Sequence, residues 1–264
     1  RMKQLERTED HGLSALDQRL VQERPKAMLP VNSEGKPFLA LLLEQLREEG
    51  VDDVCVVISS QDDQTPEWIA PWVPPGMTVG FARQTMPAGA TKPLGTADAV
   101  ECALLARPEW RGQSVSVFNG DNLPPEGAAR ALQSTDFGTV AFAQSALGLP
   151  PQRAQAFAAF RGSPEEGVTA LIEKPTTNDM EELRDGDGEL WVSMNLFRLP
   201  YEAMLQGCQK APIHPIRGER ELPTAVMLAA EQTRAKLQWI PFRGAFLDLT
   251  HPSDWTSLKN DHSL

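Results

Sequence analysis

Apolar residues along this chain fall into two alternating rhythms. Between 37 and 49, Phe38, Leu39, Leu42, Leu43 and Leu46 recur at helical spacing, and Gly50 supplies the stop. Val54 to Ile58 is instead an unbroken, largely β-branched run, as expected of a strand buried on both faces. The alternation repeats: Val79 to Ala82 reads as a strand, Ala97 to Ala106 as a helix, and Ser114 to Phe118 as a strand running into Asn119-Gly120-Asp121. A helix near 126–133 and a strand over Gly138 to Gln144 follow. The second half is richer in strands: Ala156 to Phe160, Val168 to Glu173, Trp191 to Arg198, and runs near 237–241 and 245–249, with a helix over about 219–233. The polar or proline-rich stretches 61–77 and 176–189 read as surface loops. Strands and helices alternating in units of this size predict a three-layer α/β/α domain around a mostly parallel central sheet. With no internal repeat and no long linker, residues 1–264 read as one domain with two lobes, 1–135 and 136–264.

Composition narrows the function classes. The 264 residues are 41% hydrophobic and 23% charged, ordinary for a globular protein of this size. A formal net charge of -11 argues against duplex DNA and anionic membranes as partners, so any phosphate site has to be built locally from a few cations and backbone N–H groups. Cys55, Cys102 and Cys208 are odd in number and without metal or redox spacing, which fits a reducing compartment. There is no apolar run of about 18 residues and no signal-peptide pattern, and the expectation is a soluble, cytoplasmic protein.

Against that background a few residues stand out. Lys26 lies in Pro25-Lys26-Ala27-Met28-Leu29-Pro30-Val31, where a desolvated ammonium calls for an anion that the chain itself does not obviously supply; a surface turn is the plainer reading. Asp121 follows an apolar strand and a glycine, at the carboxyl end of a strand where open α/β sheets place their ligands. A carboxylate there serves either as a divalent-metal ligand or as a turn or helix cap. Asp248 repeats the arrangement after Ala245-Phe246-Leu247, before a helix starting at Pro252-Ser253-Asp254. Gly95 and Thr96 open a helix, where backbone N–H groups can approach a ligand closely or simply form a cap. Glu173-Lys174-Pro175 sets opposite charges side by side at a strand end, suited to sugar hydroxyls and a phosphate, or to nothing beyond solvent.

The order of these segments, Arg1-Met2, Pro25 to Val31, Gly35-Lys36-Pro37, Gly95-Thr96-Ala97-Asp98-Ala99, Gly120-Asp121, Glu173-Lys174-Pro175, and Asp248 through Pro252 to Asp254, resembles the sugar-1-phosphate nucleotidyltransferase family, which includes glucose-1-phosphate thymidylyltransferases and uridylyltransferases. The resemblance spans about residues 25–256 and implies a Rossmann-like fold, with 1–135 as the nucleotide-binding half and 136–264 as the sugar-phosphate half with the C-terminal strands. It implies that Arg1 and Lys26 act on the phosphates, that Gln84, Gly95 and Thr96 meet the nucleotide, and that Asp121 and Asp248 hold Mg²⁺. Glu173 and Lys174 would contact the sugar phosphate, and Ser193 and Asn195 would line the sugar pocket. The family's first strand and Gly-rich loop are expected upstream of Arg1. Other departures fall in the sugar half: the family's Asn-x-Gly stands here as Ser193-Met194-Asn195, and Leu222-Pro223-Thr224 is followed by Ala225 in place of an acidic residue.

The reaction so implied joins a nucleoside triphosphate to a sugar 1-phosphate and releases pyrophosphate. It needs no protein nucleophile or general base, so His11, His214, His251 and His262 need no catalytic role. Two other readings stand beside it: a cytidylyltransferase acting on a phosphorylated alcohol, and a nucleotide-binding regulatory protein without turnover. The sequence leaves room for a homo-oligomer.

Overall fold

The computed structural model describes residues 14–90, 92–149, 153 and 157–259. Its centre is a six-stranded sheet built from β3 (Ser114–Val117), β5 (Gly138–Ala143), β6 (Ala158–Ser163), β7 (Gly167–Ile172), β8 (Trp191–Pro200) and β9 (Gln238–Phe242). A parallel pair, β1 (Asp53–Ser59) with β2 (Thr78–Gln84), and a short antiparallel pair, β4 (Asn122–Leu123) with β10 (Leu247–Asp248), lie outside it.

The expected three-layer α/β arrangement is present, and in direction the main sheet is mostly parallel. Strands β3, β5, β6 and β9 run one way, and β7 and β8 run against them. Most hydrogen-bonded pairs are nevertheless antiparallel, because the reversed β8 sits in the middle and bonds to β3, β5 and β6. All six residues of β5 are buried, as befits a strand covered on both faces. Ala141 of β5 and Phe197 and Leu199 of β8 face one core, beneath α4 (Thr96–Ala106), α7 (Tyr201–Lys210) and α8 (Leu222–Thr233). Val140 and Phe142, with Val192, Met194 and Leu196, face the other, against α5 (Ala128–Leu132). This strict alternation is the period-2 geometry of a pleated strand.

Helix α2 (Phe38–Glu48) has apolar residues around most of its surface because it is buried on two sides. Leu39, Leu42, Leu43 and Leu46 pack toward β1, β2 and α3 (Thr65–Ile69), while Phe38 and Leu41 pack with α1 (Ala15–Glu23) and α9 (Pro252–Lys259). No helix among the described residues is long and apolar enough to cross a membrane.

Four local expectations need correction. The stretch 61–77 is not all loop: it holds α3, whose first turn is fixed where the Asp62 carboxylate accepts the Gln64 and Thr65 N–H groups. The stretch 176–189 holds α6 (Thr177–Glu182), closed by a reciprocal capping box between Thr176 and Asp179. Helix α7 was not anticipated, although Tyr201, Met204 and Cys208 recur on its buried face. The strand expected over Val54 to Ile58 exists, but only Ile58 is buried. The rest is half-exposed because a cavity of about 700 Å³ separates this edge of β1 from β3.

Helices α7 and α8 touch through Gly207, where a Cβ would stand 2.3 Å from the carbonyl oxygen of Ala225. Gly207→Val is therefore expected to destabilise the fold by about 1–3 kcal/mol through overpacking. In urea unfolding this appears as a lower midpoint with an unchanged slope.

Candidate functional site

Lys26 sits in a single 3₁₀ turn, Lys26–Met28, pinned by the fully buried Met28 and Leu29. Trp255 of α9 donates its indole N–H to the Pro30 carbonyl (2.7 Å), and the Phe38 N–H bonds Leu29 (3.0 Å). The turn therefore cannot carry the lysine away from the core. Its side chain is largely covered, and Nζ lies 3.4 Å from Oδ2 of Asp121. The chain thus does supply an anion for Lys26, contrary to the expectation from sequence. At 3.4 Å the contact is longer than the usual 2.7–2.9 Å, approximately, of a charge-assisted hydrogen bond.

Asp121 and Asp248 come together by a different route from the one expected. They do not end parallel strands of one sheet. Instead the two-residue ladder of β4 and β10 sets Asp248 opposite Asn122, the neighbour of Asp121, and the Leu249 N–H donates to the Asp121 carbonyl (3.1 Å). Asp248 is buried, and burial raises its pKa, with the Asp121 and Asp254 charges adding to the shift. The Thr250 hydroxyl, donating to Oδ2 at 2.7 Å, and the Arg153 guanidinium, 3.5 Å away, oppose that shift. Arg153 also forks onto both carboxylate oxygens of Asp254, at 3.1 and 2.7 Å. Each carboxylate of the pair therefore has its own internal cation. Among the described residues no three His, Cys, Asp or Glu side chains gather as a metal cage.

The second group forms around the start of α4. Gly95 has φ +100°, and a Cβ there would fall 2.6 Å from the Arg220 carbonyl oxygen, so only glycine fits. Gln84, ending β2, donates its amide to the Gly95 carbonyl (2.9 Å) and to Asp98 (2.7 Å). The helix start is less open than expected, because the Arg220 carbonyl takes the Ala97 N–H (3.1 Å) and the Leu222 N–H donates to the Thr96 hydroxyl (3.0 Å). The Arg220 guanidinium pairs with Asp98 and, at 2.8 Å, with Glu101. Thr96 and Gly120, the residue before Asp121, border the same cavity.

The third group lies in the second half. Glu173 is half-buried, 3.6 Å from Arg217, which also pairs with Glu221. Burial, helped by the Glu221 charge, pushes the Glu173 carboxyl above its ordinary range, against the opposing pull of Arg217. Lys174 is exposed, with φ +46°, and Asn195 has φ +60°. These are two of only three non-glycine residues with positive φ among those described. Asn195 stands where the β5–β8 register slips, and its N–H donates to the buried Ser193 hydroxyl (3.3 Å). The asparagine thus adopts the left-handed conformation that a glycine takes without cost.

Arg1 lies outside the described residues. Arg153, Thr250, Arg217 and Arg220 were not singled out from sequence. Of these only Thr250, two residues after Asp248, carried a local signal, a hydroxyl within reach of a neighbouring carboxylate.

Residues 19–241 match the family model described as nucleotidyl transferase. No relative among curated proteins matches the chain by sequence. A UTP-bound UGPase from Acinetobacter baumannii superposes with a TM-score of 0.66 at 17% identity, covering 93% of this chain and 89% of its own. A UDP-glucose pyrophosphorylase complexed with UDP-glucose gives 0.63 at 16% identity, covering 92% and 93%. HddC from Yersinia pseudotuberculosis gives 0.59 at 16%, covering 89% of each chain. At these identities the likeness is one of fold.

Folding raises the proton affinity of Glu173, so the native state holds that proton over a window above the ordinary value of 4.5. Stability therefore falls as pH rises through the window. Glu173→Gln is expected to melt higher than the parent at pH 7, and the gap should close as pH is lowered toward 4.5. Thermal melts of both proteins from pH 4 to 8, on the order of one point per half unit, check this.

Proposed function

The chain belongs to the nucleotidyl transferase family, and on that footing we propose that it joins a nucleoside triphosphate to a sugar 1-phosphate and releases pyrophosphate. The observation that carries this reading is the convergence of Lys26, Asp121 and Asp248, with Gly120 opening onto the same cavity as the Thr96 helix start. Neighbours of the same fold that hold UTP and UDP-glucose support it.

In the proposed reaction an oxygen of the sugar phosphate attacks the α-phosphorus in line. The new P–O bond forms as the α–β bridging bond breaks, and its electron pair leaves with pyrophosphate. The attacking phosphate is already anionic at neutral pH, so no side chain has to remove a proton. Catalysis is then positioning and charge neutralisation. Lys26, held loosely on Asp121, turns its ammonium toward the triphosphate. The amide of Gln84, its NH₂ fixed on Gly95 and Asp98, offers its oxygen to a base N–H. Lys174 and Asn195 are in conformations that cost energy, the kind of position where binding groups concentrate.

The donor set also suits a hard divalent cation. Mg²⁺ is ordinarily held by one or two carboxylates with water and substrate phosphates completing the shell, and a buried carboxylate with a raised pKa gains from a cation beside it. Asp121 and Asp248 would hold Mg²⁺, which when bound neutralises charge on the transferring phosphate.

Steady-state kinetics with nucleoside triphosphates and a panel of sugar 1-phosphates tests the reading. Asp121→Asn should abolish Mg²⁺-dependent turnover with little change in melting temperature. Lys26→Met should lower kcat/KM by about one to two orders of magnitude, the loss of a charge-assisted contact of roughly 1.5–3 kcal/mol. Turnover with a phosphorylated alcohol alone would overturn the sugar assignment. Nucleotide binding without any turnover would overturn the catalytic one.

A further inference from the structure

One oxygen of Asp248 has two neighbours. The Thr250 hydroxyl donates to Oδ2 at 2.7 Å, and the Arg153 guanidinium stands 3.5 Å from the same atom. Both neighbours are anchored on Asp254. Its Oδ2 accepts the Thr250 N–H (3.0 Å) and the His251 N–H (2.7 Å) just before α9. Its two oxygens also take the fork of Arg153, at 3.1 and 2.7 Å. The arginine side chain is only 18% exposed. A largely covered guanidinium held by two parallel bonds keeps its place, so Arg153 is a fixed positive charge beside Asp248.

The geometry of Asp248 does not depend on that charge. Thr250, with its own N–H tied to Asp254, already holds the carboxylate. What Arg153 adds is electrostatic. Lys26, 3.4 Å from Asp121, does the same for the other acid. The three carboxylates Asp121, Asp248 and Asp254 thus share two internal cations, which leaves a single net negative charge for a divalent ion to meet. Without Arg153 that charge would double. How tightly an oxygen site holds a divalent ion follows its ligand charge, and the phosphates of a nucleotide supply the charge that this site lacks.

We propose that Arg153 is an internal counter-cation that keeps Asp121 and Asp248 from holding a divalent ion in the free protein, so that the ion is retained only together with the phosphates of a nucleoside triphosphate. The inference rests on the reading of Asp121 and Asp248 as cation ligands. It has a definite sign. A guanidinium whose part was to orient Asp248 would act the other way, because losing an orienting partner weakens a metal site about 10–100-fold. Losing a repelling charge strengthens it.

The test is titration of Mn²⁺ alone into the 264-residue protein at pH 7, followed by the fall of the free-ion EPR signal. The parent is expected to bind with a Kd on the order of 1 mM or weaker. Arg153→Gln, which removes the charge and keeps a donor for Asp254, should bind at least about tenfold tighter, with unaltered circular dichroism. Arg153→Lys, which keeps the charge and loses the fork, should stay within about threefold of the parent. Adding Asp121→Asn to Arg153→Gln should remove the gain. A parent Kd in the low micromolar range would overturn the proposal without any variant. So would unchanged or weaker binding by Arg153→Gln, a lysine variant that matches the glutamine one, or a gain that survives Asp121→Asn. No nucleotide enters the titration, so a failure of the catalytic reading shows separately, as absent turnover in the kinetic assays.

Discussion

Because β8 runs against β3, β5 and β6 and bonds to all three, the sheet is organised around a single reversed strand. Its other edge being fully taken by β5, β8 divides the remaining edge between β3 at its C-terminal end and β6 at its N-terminal end. That division bonds β3, which leads to Asp121, to the same strand that carries Ser193–Asn195. The alternation of Phe197 and Leu199 with Val192, Met194 and Leu196 fills both cores from the same strand. A charge at any of these positions would be buried without a partner, which is the most costly kind of core change.

The chain carries a net charge of -11, and at the candidate site each cluster of carboxylates has a cation beside it that offsets part of their mutual repulsion. Lys26 faces Asp121, Arg153 bridges Asp248 and Asp254, Arg217 bridges Glu173 and Glu221, and Arg220 bridges Asp98 and Glu101. Each arginine spans two acids. The segment from Arg217 to Leu222 also ties the acid of the third group to the helix start of the second, since Leu222 bonds Thr96 and Arg220 bonds both flanks of Gly95. The two halves of the sequence are thus mechanically continuous at the site.

Much of this was legible in the residues, for definite reasons. Unbroken apolar strands and helical spacing encode burial, so β1, β2, β3, β5 and α2 were found within a few residues. Strand direction leaves no trace in periodicity, which is why the reversal of β8 and the antiparallel β4–β10 ladder were not foreseen. The ladder is only two residue pairs long, too short for any pattern. Proline-rich composition masked α3, and α6 was announced only by Thr176 and Asp179 at capping-box spacing. The arginines of the site were invisible because their partners lie far along the chain: 101 residues separate Arg153 from Asp254, and 122 separate Arg220 from Asp98. Lys26 stands out in the sequence as an unusual charge, but its partner, 95 residues on, leaves no local sign.

The backbone at Lys174 carries a different kind of information. A lysine in the left-handed region costs about 1–2 kcal/mol relative to the right-handed one, more than the roughly 0.5–1 kcal/mol of extra chain entropy a glycine would lose on folding. Glycine at 174 would therefore be the more heat-tolerant choice, at the loss of an exposed ammonium beside Glu173. A laboratory population screened only for survival on heating would drift toward glycine there, whereas, if Lys174 binds substrate as proposed, one screened for turnover would keep the lysine. On that proposed role, position 174 is where the two selections pull the same codon in opposite directions.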